Sequence, residues 1–499
     1  MRIVNRSQSI WIKLTFMLLA STLAWLFGMI AVTANPIIIG LAIGGIVGLF
    51  LLAIPKITIQ IVIVLGLATP ALLDMAGHGL SRALWAISLM ALLLWVPGLL
   101  NLFDLNRKKN KHVPLFIWIA IIFALYTIFS TLVHLHSFSE LFGGFKRYFQ
   151  TFGLMLALVA MTFTKEDFDK WLKLLLVIAL LQLPFAIFER FILVPLRGGL
   201  AGGGQATDVV AGTMGANLDG GSPNAIMVTL VLLAFAFVFS RWKVGLISTA
   251  RTQLLSGILL LPLLLGETKI VVLMLPLMGI VLLRKDLMRE PSKYIPIIAA
   301  MFMTTIALAY FYVYFLLNTT ISEAIADTIR YNLQDVGYGT SILNRSTAVS
   351  FWWKLHSWQD PISFLFGHGL GSSYGSGYQA GHMAALYPGY SINLNTITTL
   401  LWDVGMVGLV LYVLIFVVAY AQLSKVWQKT ESMQIKADCL AIQSGIAITL
   451  LFLIYGDSQI NLLVHEMIIS ILLAYAAFLV QQQWLESKIR IDIQNINIS

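Results

Sequence analysis

The stretch Leu115-Phe-Ile-Trp-Ile-Ala-Ile-Ile-Phe-Ala-Leu-Tyr-Thr-Ile-Phe-Ser-Thr-Leu-Val133 decides the fold class. It carries no charge and follows the basic run Arg107-Lys-Lys-Asn-Lys111. A helix needs roughly 20 apolar residues to cross a bilayer, and basic residues gather on the cytoplasmic flank of such a helix. The whole chain repeats the pattern. Of its 499 residues 59% are hydrophobic and only 11% charged, whereas a soluble domain carries about 25% charged residues. Apolar stretches fall near residues 11–32, 36–54, 57–73, 82–100, 114–133, 148–163, 171–190, 223–240, 252–265, 269–283, 294–317, 400–424, 440–456 and 459–481. The expected fold is therefore an all-α polytopic transmembrane bundle of about 14 spans. The first span is longer than a signal-peptide core and leads straight into the second, which predicts an uncleaved anchor.

Charge gives the orientation. With the N-terminus inside, 23 of the 32 Lys and Arg residues fall on the cytoplasmic side and 9 outside, which predicts both termini in the cytoplasm. The net charge of +9 is distributed as topology requires and does not point to nucleic acid. The single Cys439 excludes a disulfide framework and a thiolate cluster. No metal spacing or phosphate-binding P-loop motif occurs, so no cofactor is expected.

The domain plan is residues 1–317 as spans with an outer loop at 191–222, a long extracytoplasmic loop at 318–391, further spans at 392–482, and a cytoplasmic tail at 483–499. Only the outer side has room for chemistry. It also holds His78, His134, His136, His356, His368 and His382. A loop as long as 318–391 is functional or disordered, and its aromatic content argues against disorder.

Five segments carry candidate residues. Arg197-Gly-Gly-Leu-Ala-Gly-Gly-Gly-Gln205, followed by Val210-Ala-Gly-Thr-Met-Gly215, is either a flexible connection or a cradle of backbone amides for an anion. Gly266-Glu-Thr-Lys269 places Lys269 at the membrane boundary, paired with Glu267 or facing an anionic head group. Leu343-Asn-Arg-Ser-Thr-Ala-Val-Ser-Phe-Trp-Trp353 reads as an amphipathic helix with Arg345 in its first turn. That guanidinium fits two phosphate oxygens, or else pairs with Asp327, Asp335 or Asp360. Trp352, Trp353, Trp358, Phe364 and Phe366 either stack on sugars or anchor an interfacial helix. Pro361-Ile-Ser-Phe-Leu-Phe-Gly-His-Gly-Leu-Gly-Ser-Ser373 sets His368 between glycines, as a proton acceptor or a merely exposed ring. Ile392-Asn-Leu-Asn-Thr-Ile-Thr-Thr-Leu-Leu-Trp-Asp403 ends in a carboxylate just inside a span, ahead of Gly405 and Gly408.

The order of Gly212-Thr213, Asn224, Lys269, Arg345 with Trp352 and Trp353, Pro361 to Gly371, and Asn395 to Asp403-Val-Gly405-Met-Val-Gly408 resembles the bacterial O-antigen polymerase and ligase superfamily, over about residues 205–425. The resemblance implies a metal-independent, inverting glycosyltransferase of the inner membrane with its site facing the periplasm. Its substrate would be an undecaprenyl-diphosphate-linked oligosaccharide. A polymerase would transfer the growing glycan onto an incoming lipid-linked repeat, whereas a ligase would transfer it to a lipid A core. Membrane lipids, chain-length regulators and flippases are the implied partners.

On that resemblance Arg345 and Lys269 match the phosphate-binding cations, with Lys146, Arg147 and Arg197 as further outer cations. The wider substrate set is Asn395, Trp352, Gly212 and Thr213, and His368, His382 and Asp403 are the catalytic candidates. Relatives, ligases especially, carry a His-Asn pair where this chain has Leu394-Asn395, which disfavours a ligase. A secondary transporter or a lipid-linked-oligosaccharide flippase is the alternative of another class. It predicts internal repeats or charged residues lining the spans, and neither is found here.

Overall fold

The computed structural model describes residues 53–76, 83–103, 112–199, 209–216, 223–266, 268–311, 313–314, 319–334, 337, 341–356, 360–375 and 380–496, with a few positions before 53. The chain divides into two compact units, residues 1–59 and 60–499. The expected spans 11–32 and 36–54 lie largely outside the described residues. All functional residues discussed below belong to the second unit.

Every regular element among the described residues is a helix. Seven are long and apolar enough to cross a membrane. They are Leu84–Leu102, Leu115–Val133, Lys165–Leu196, Asn224–Lys243, Thr396–Lys429, Met433–Phe452 and Leu463–Arg490. Pro55–Ala68 and Thr249–Leu265 are apolar but shorter. The expected span at 148–163 begins at the end of one helix, α1 (Phe138–Phe149), and after a break holds a second, α2 (Phe152–Ala160).

Burial sorts the long helices. In α3 (Leu463–Ile496) 94% of the apolar window is buried, against 28% for Leu84–Leu102, so α3 is the central post and the other lies at the rim. Apolar residues alone do not drive helices together in lipid, so close packing and polar contacts fix the register. Two such contacts tie the break between α1 and α2 to α3: Gln150 donates to Glu466 at 2.5 Å and Thr151 meets Ser470 at 2.8 Å. Bonds of this kind contribute about 0.6 kcal/mol each.

The helix α4 (Thr396–Lys429) is the element that builds the site. Asn395 caps it, its side-chain oxygen accepting from the Thr398 amide at 2.9 Å. Ten residues beyond that cap the helix breaks at Gly405, whose φ of +68° only glycine adopts without strain. The break frees carbonyls of the preceding turn, and the 367–369 segment takes them. The His368 and Gly369 amides donate to the Trp402 and Asp403 carbonyls, both at 2.8 Å. A Cβ at Gly405 would lie 2.4 Å from the Leu365 carbonyl oxygen, and one at Gly367 would lie 2.6 Å from the Asp403 carbonyl carbon. Two backbones thus touch directly, which explains why glycines recur in both sequence segments. Tyr126 clamps the joint by donating to the Leu365 and Val404 carbonyls at 2.8 and 2.9 Å.

The long connection 318–391 is not simply a water-exposed loop. It contains α5 (Ile321–Leu333), α6 (Arg345–Leu355), α7 (Pro361–Phe366) and α8 (His382–Leu386). Trp352, Phe364 and Met383 from this region pack with Ile392 and with Leu401 and Trp402 of α4 as one apolar cluster. The expected helix from Leu343 is present. It starts at Arg345, because Asn344 accepts from the Ser346 and Thr347 amides at 3.1 and 2.9 Å.

Candidate active site

Asp403 stands at the junction and is 1% exposed. One oxygen accepts from the Ser372 hydroxyl at 2.9 Å and the Ser373 amide at 2.8 Å. The other accepts from the Tyr148 hydroxyl at 2.9 Å and the Gly371 amide at 3.1 Å. Four donors leave this carboxylate nothing to offer a substrate. Through the Tyr148 hydroxyl it is tied to α1 beside Arg147. The guanidinium carbon of Arg147 lies 3.2 Å from the centroid of the Tyr374 ring.

Arg345 is the second fixed cation. Its Nε donates to the Tyr455 carbonyl at 2.6 Å, one Nη donates to Asn332 at 2.7 Å, and its guanidinium sits 4.5 Å from the Tyr455 ring centroid. Asn395 reaches back to the Arg345 carbonyl at 3.1 Å, so a single cap residue ties α4 to the start of α6. Of the carboxylates the sequence offers Arg345, Asp335 lies outside the described residues.

Tyr455, the partner of Arg345, belongs to the connection between Met433–Phe452 and α3. Its Gly456 carbonyl accepts from the Thr396 amide at 3.0 Å and hydroxyl at 2.7 Å. Asp457 follows. Its Oδ2 accepts from Asn461 at 2.5 Å and from Asn393 at 3.3 Å, and it lies within electrostatic reach of Arg147. Burial pushes its pKa up to about 6, against the pull of Asn461 and Arg147. The carboxylate is half-buried. Reading the sequence as spans 440–456 and 459–481 left no room for a site here. The signal was the polar run Gly456-Asp457-Ser458 between two apolar stretches.

The histidines form a separate cluster at the other end of α1. His356 Nδ1 lies 3.0 Å from the Trp352 carbonyl, and its Nε2 lies 2.7 Å from His368 Nε2. A carbonyl only accepts, so Nδ1 of His356 carries the proton, and a neutral His356 then accepts from His368 through Nε2. That leaves Nδ1 as the basic atom of His368. Burial, then the neighbouring histidines, hold this imidazole down at about 3, which makes it a weak proton acceptor. His382 bonds Glu140 at 2.8 Å and stacks on His136 at 4.5 Å. Glu140 precedes Arg147 by seven residues on α1, about 10 Å along the helix axis.

No protein-family model matches this chain, nor does any curated protein.

The remaining candidates disperse. Lys146 lies over the Trp85 ring at 4.7 Å. Lys269 is exposed at the edge of a cleft described below, and Glu267 lies outside the described residues. Arg197 follows the helical segment that ends at Leu196, with no described bond to Arg147 or Arg345.

Trp352 is 0% exposed and stacks on His356, so it is core and not a sugar platform. The glycine-rich cradle exists, but it is filled from within. The Ala211 and Gly212 amides donate to the Glu189 carboxylate at 2.9 and 2.7 Å. Thr213 donates to the Leu67 carbonyl and accepts from Gln182, at 2.6 and 2.7 Å. The 209–216 stretch is buried, because its own chain supplies the anion that the glycines invite. Burial removes Gly212 and Thr213 from contact with a substrate, and of the two readings of this segment the 209–216 part is a cradle rather than a flexible connection.

Proposed function

We propose that this protein is a polysaccharide polymerase, a metal-independent inverting glycosyltransferase acting on undecaprenyl-diphosphate-linked glycans. The observation that carries the reading is that Arg345 bonds the Tyr455 carbonyl while Arg147 acts electrostatically on Asp457, two residues further along the same connection. A departing diphosphate develops negative charge, and cations fixed beforehand stabilise that charge without reorganising. Arg147 forms no ion pair among the described residues, and its aromatic platform holds it in place while leaving its charge available.

A lipid-linked substrate also needs a place for its tail. An apolar cleft of about 510 Å³ opens between Thr249–Leu265, Val271–Arg289, Pro291–Phe311 and α5. Helix α5 turns Ile321, Ala324, Ile325, Thr328 and Ile329 toward it, a helical stripe, and Lys269 lies on its rim. An apolar chain with an anionic head matches that combination. In this reading the chain has about 14 spans in the inner membrane, both termini are cytoplasmic, and the site faces the periplasm.

Transfer to a lipid A core is the second reading. Leu394, where ligases carry histidine, packs against the apolar cluster around Trp402, and this favours the polymerase. Reconstitution with lipid-linked repeats as the sole substrate tests the proposal. The expected product is a ladder of longer glycans, lost on Arg345→Ala although the variant still inserts. Transfer to a lipid A core alone would sink the polymerase reading.

A further inference from the structure

We propose that Asp457 is the general base, the group that removes the proton from the attacking sugar hydroxyl. The inference rests on the glycosyltransferase reading above and adds to it the residue that activates the acceptor.

Three carboxylates and two histidines compete for the role, and their bonding separates them. Asp403 is committed to four donors. Glu189 is fully buried on the Ala211 and Gly212 amides. His368 shares its Nε2 with His356, and His382 is paired with Glu140 about two helical turns from Arg147. Asp457 alone combines solvent access with the neighbourhood of a fixed cation. Both of its side-chain amide donors, Asn461 and Asn393, engage Oδ2. They fix the carboxylate plane, and Oδ1 accepts from no side chain among the described residues.

The step to be served is an in-line displacement. With the diphosphate on Arg147, a base on the neighbouring connection, within that cation's electrostatic reach, receives the proton of an approaching hydroxyl. Asp457 takes the hydroxyl proton as the sugar oxygen forms its bond to the anomeric carbon. The bond from that carbon to the diphosphate oxygen breaks, and its electron pair leaves with the lipid diphosphate. The proton then returns to water or to the diphosphate. Charge is conserved, and no metal or redox partner is needed.

A base must be unprotonated to act. With its pKa raised to about 6 by burial and moderated by Asn461 and Arg147, Asp457 is ionised at neutral pH. It is a stronger proton acceptor than an ordinary carboxylate. Arg147 on α1 is the one charged group acting on it, and its other polar neighbours are the neutral amides Asn393 and Asn461.

The test is steady-state polymerisation by the full-length protein in proteoliposomes, with lipid-linked repeats as substrate, across pH 5 to 9. In the wild type kcat should fall on the acid side with a midpoint near 6. Asp457→Asn should lower kcat by roughly 100-fold or more, the scale of a lost general base. Its KM should stay within about twofold, and its residual rate should lose the acid limb. Asp457→Glu should recover part of the rate and keep an acid limb, which guards against loss of fold as the explanation. A ladder from Asp457→Asn at the wild-type rate, or a wild type with no acid limb, would overturn the assignment alone. A wild type that forms no glycosidic bond from lipid-linked donors overturns the glycosyltransferase reading, and the base falls with it.

Discussion

The two ends of the helix bundle use the same residue types in opposite ways. At one end Arg241 presents a fork to Asp438, with Nε and Nη2 at 2.8 and 2.9 Å, and Tyr475 adds a third donor at 2.6 Å. Lys243 pairs with Asp286, and Arg284 bonds Tyr420 and Gln443. At the other end Lys146 lies over Trp85 and Arg147 over Tyr374, and neither has an ion pair among the described residues. Carboxylates nearby are turned elsewhere, Asp403 to amides and hydroxyls and Asp457 to two asparagines. A cation neutralised by a fork is structural. A cation resting on a ring keeps its charge for an anion that arrives later, because the ring quadrupole attracts it without supplying a countercharge.

Substitutions should separate the two ends. The largest effect is expected from Asp438→Ala, which takes the acceptor from the half-buried Arg241 and from the Tyr475 hydroxyl and should cost about 3 kcal/mol of stability. Thermal unfolding in detergent measures the loss, and activity per folded molecule should be unchanged. Equal loss of activity per folded molecule would erase the distinction between the ends. Next comes Arg147→Ala, expected to lower kcat by about 10²–10³-fold, the scale of losing one preorganised group that stabilises transition-state charge. Its unfolding temperature should move little, since only a cation–ring contact is lost. A variant that unfolds early but turns over normally would make Arg147 structural, like Arg241. The smallest effect is expected from Asn395→Ala, which removes a helix cap and should cost about 1 kcal/mol. It should also loosen Arg345 through the lost bond to its carbonyl, raising KM more than it lowers kcat.

The sequence was most legible where a local rule applies. Uncharged stretches near Leu115 and Thr396 announce helices because a bilayer leaves no other way to satisfy the backbone. Asn344 and Asn395 announce helix starts because a side-chain oxygen replaces the missing carbonyl. The close approach of Gly367 and Gly405 was not legible, because the two glycines lie in different segments and only the folded chain brings their backbones together. The site was less legible. Arg345 and Arg147 stood out as scarce cations in an apolar chain, whereas Trp352 and Thr213 promised contacts that burial denies them.

What the sequence determined by itself is the class of the fold, a helical membrane protein, and a short set of polar residues that an apolar chain can place only at its margins. Both follow from the cost of burying charge and unpaired backbone in hydrocarbon. Which of those residues act together was decided by tertiary structure. Asp403 is spent on the 371–373 amides, Gly212 on Glu189, and Asp457, 54 residues beyond Asp403, comes within reach of Arg147. A carboxylate's chemistry depends on how many donors already hold it, and those donors come from helices far apart in the chain.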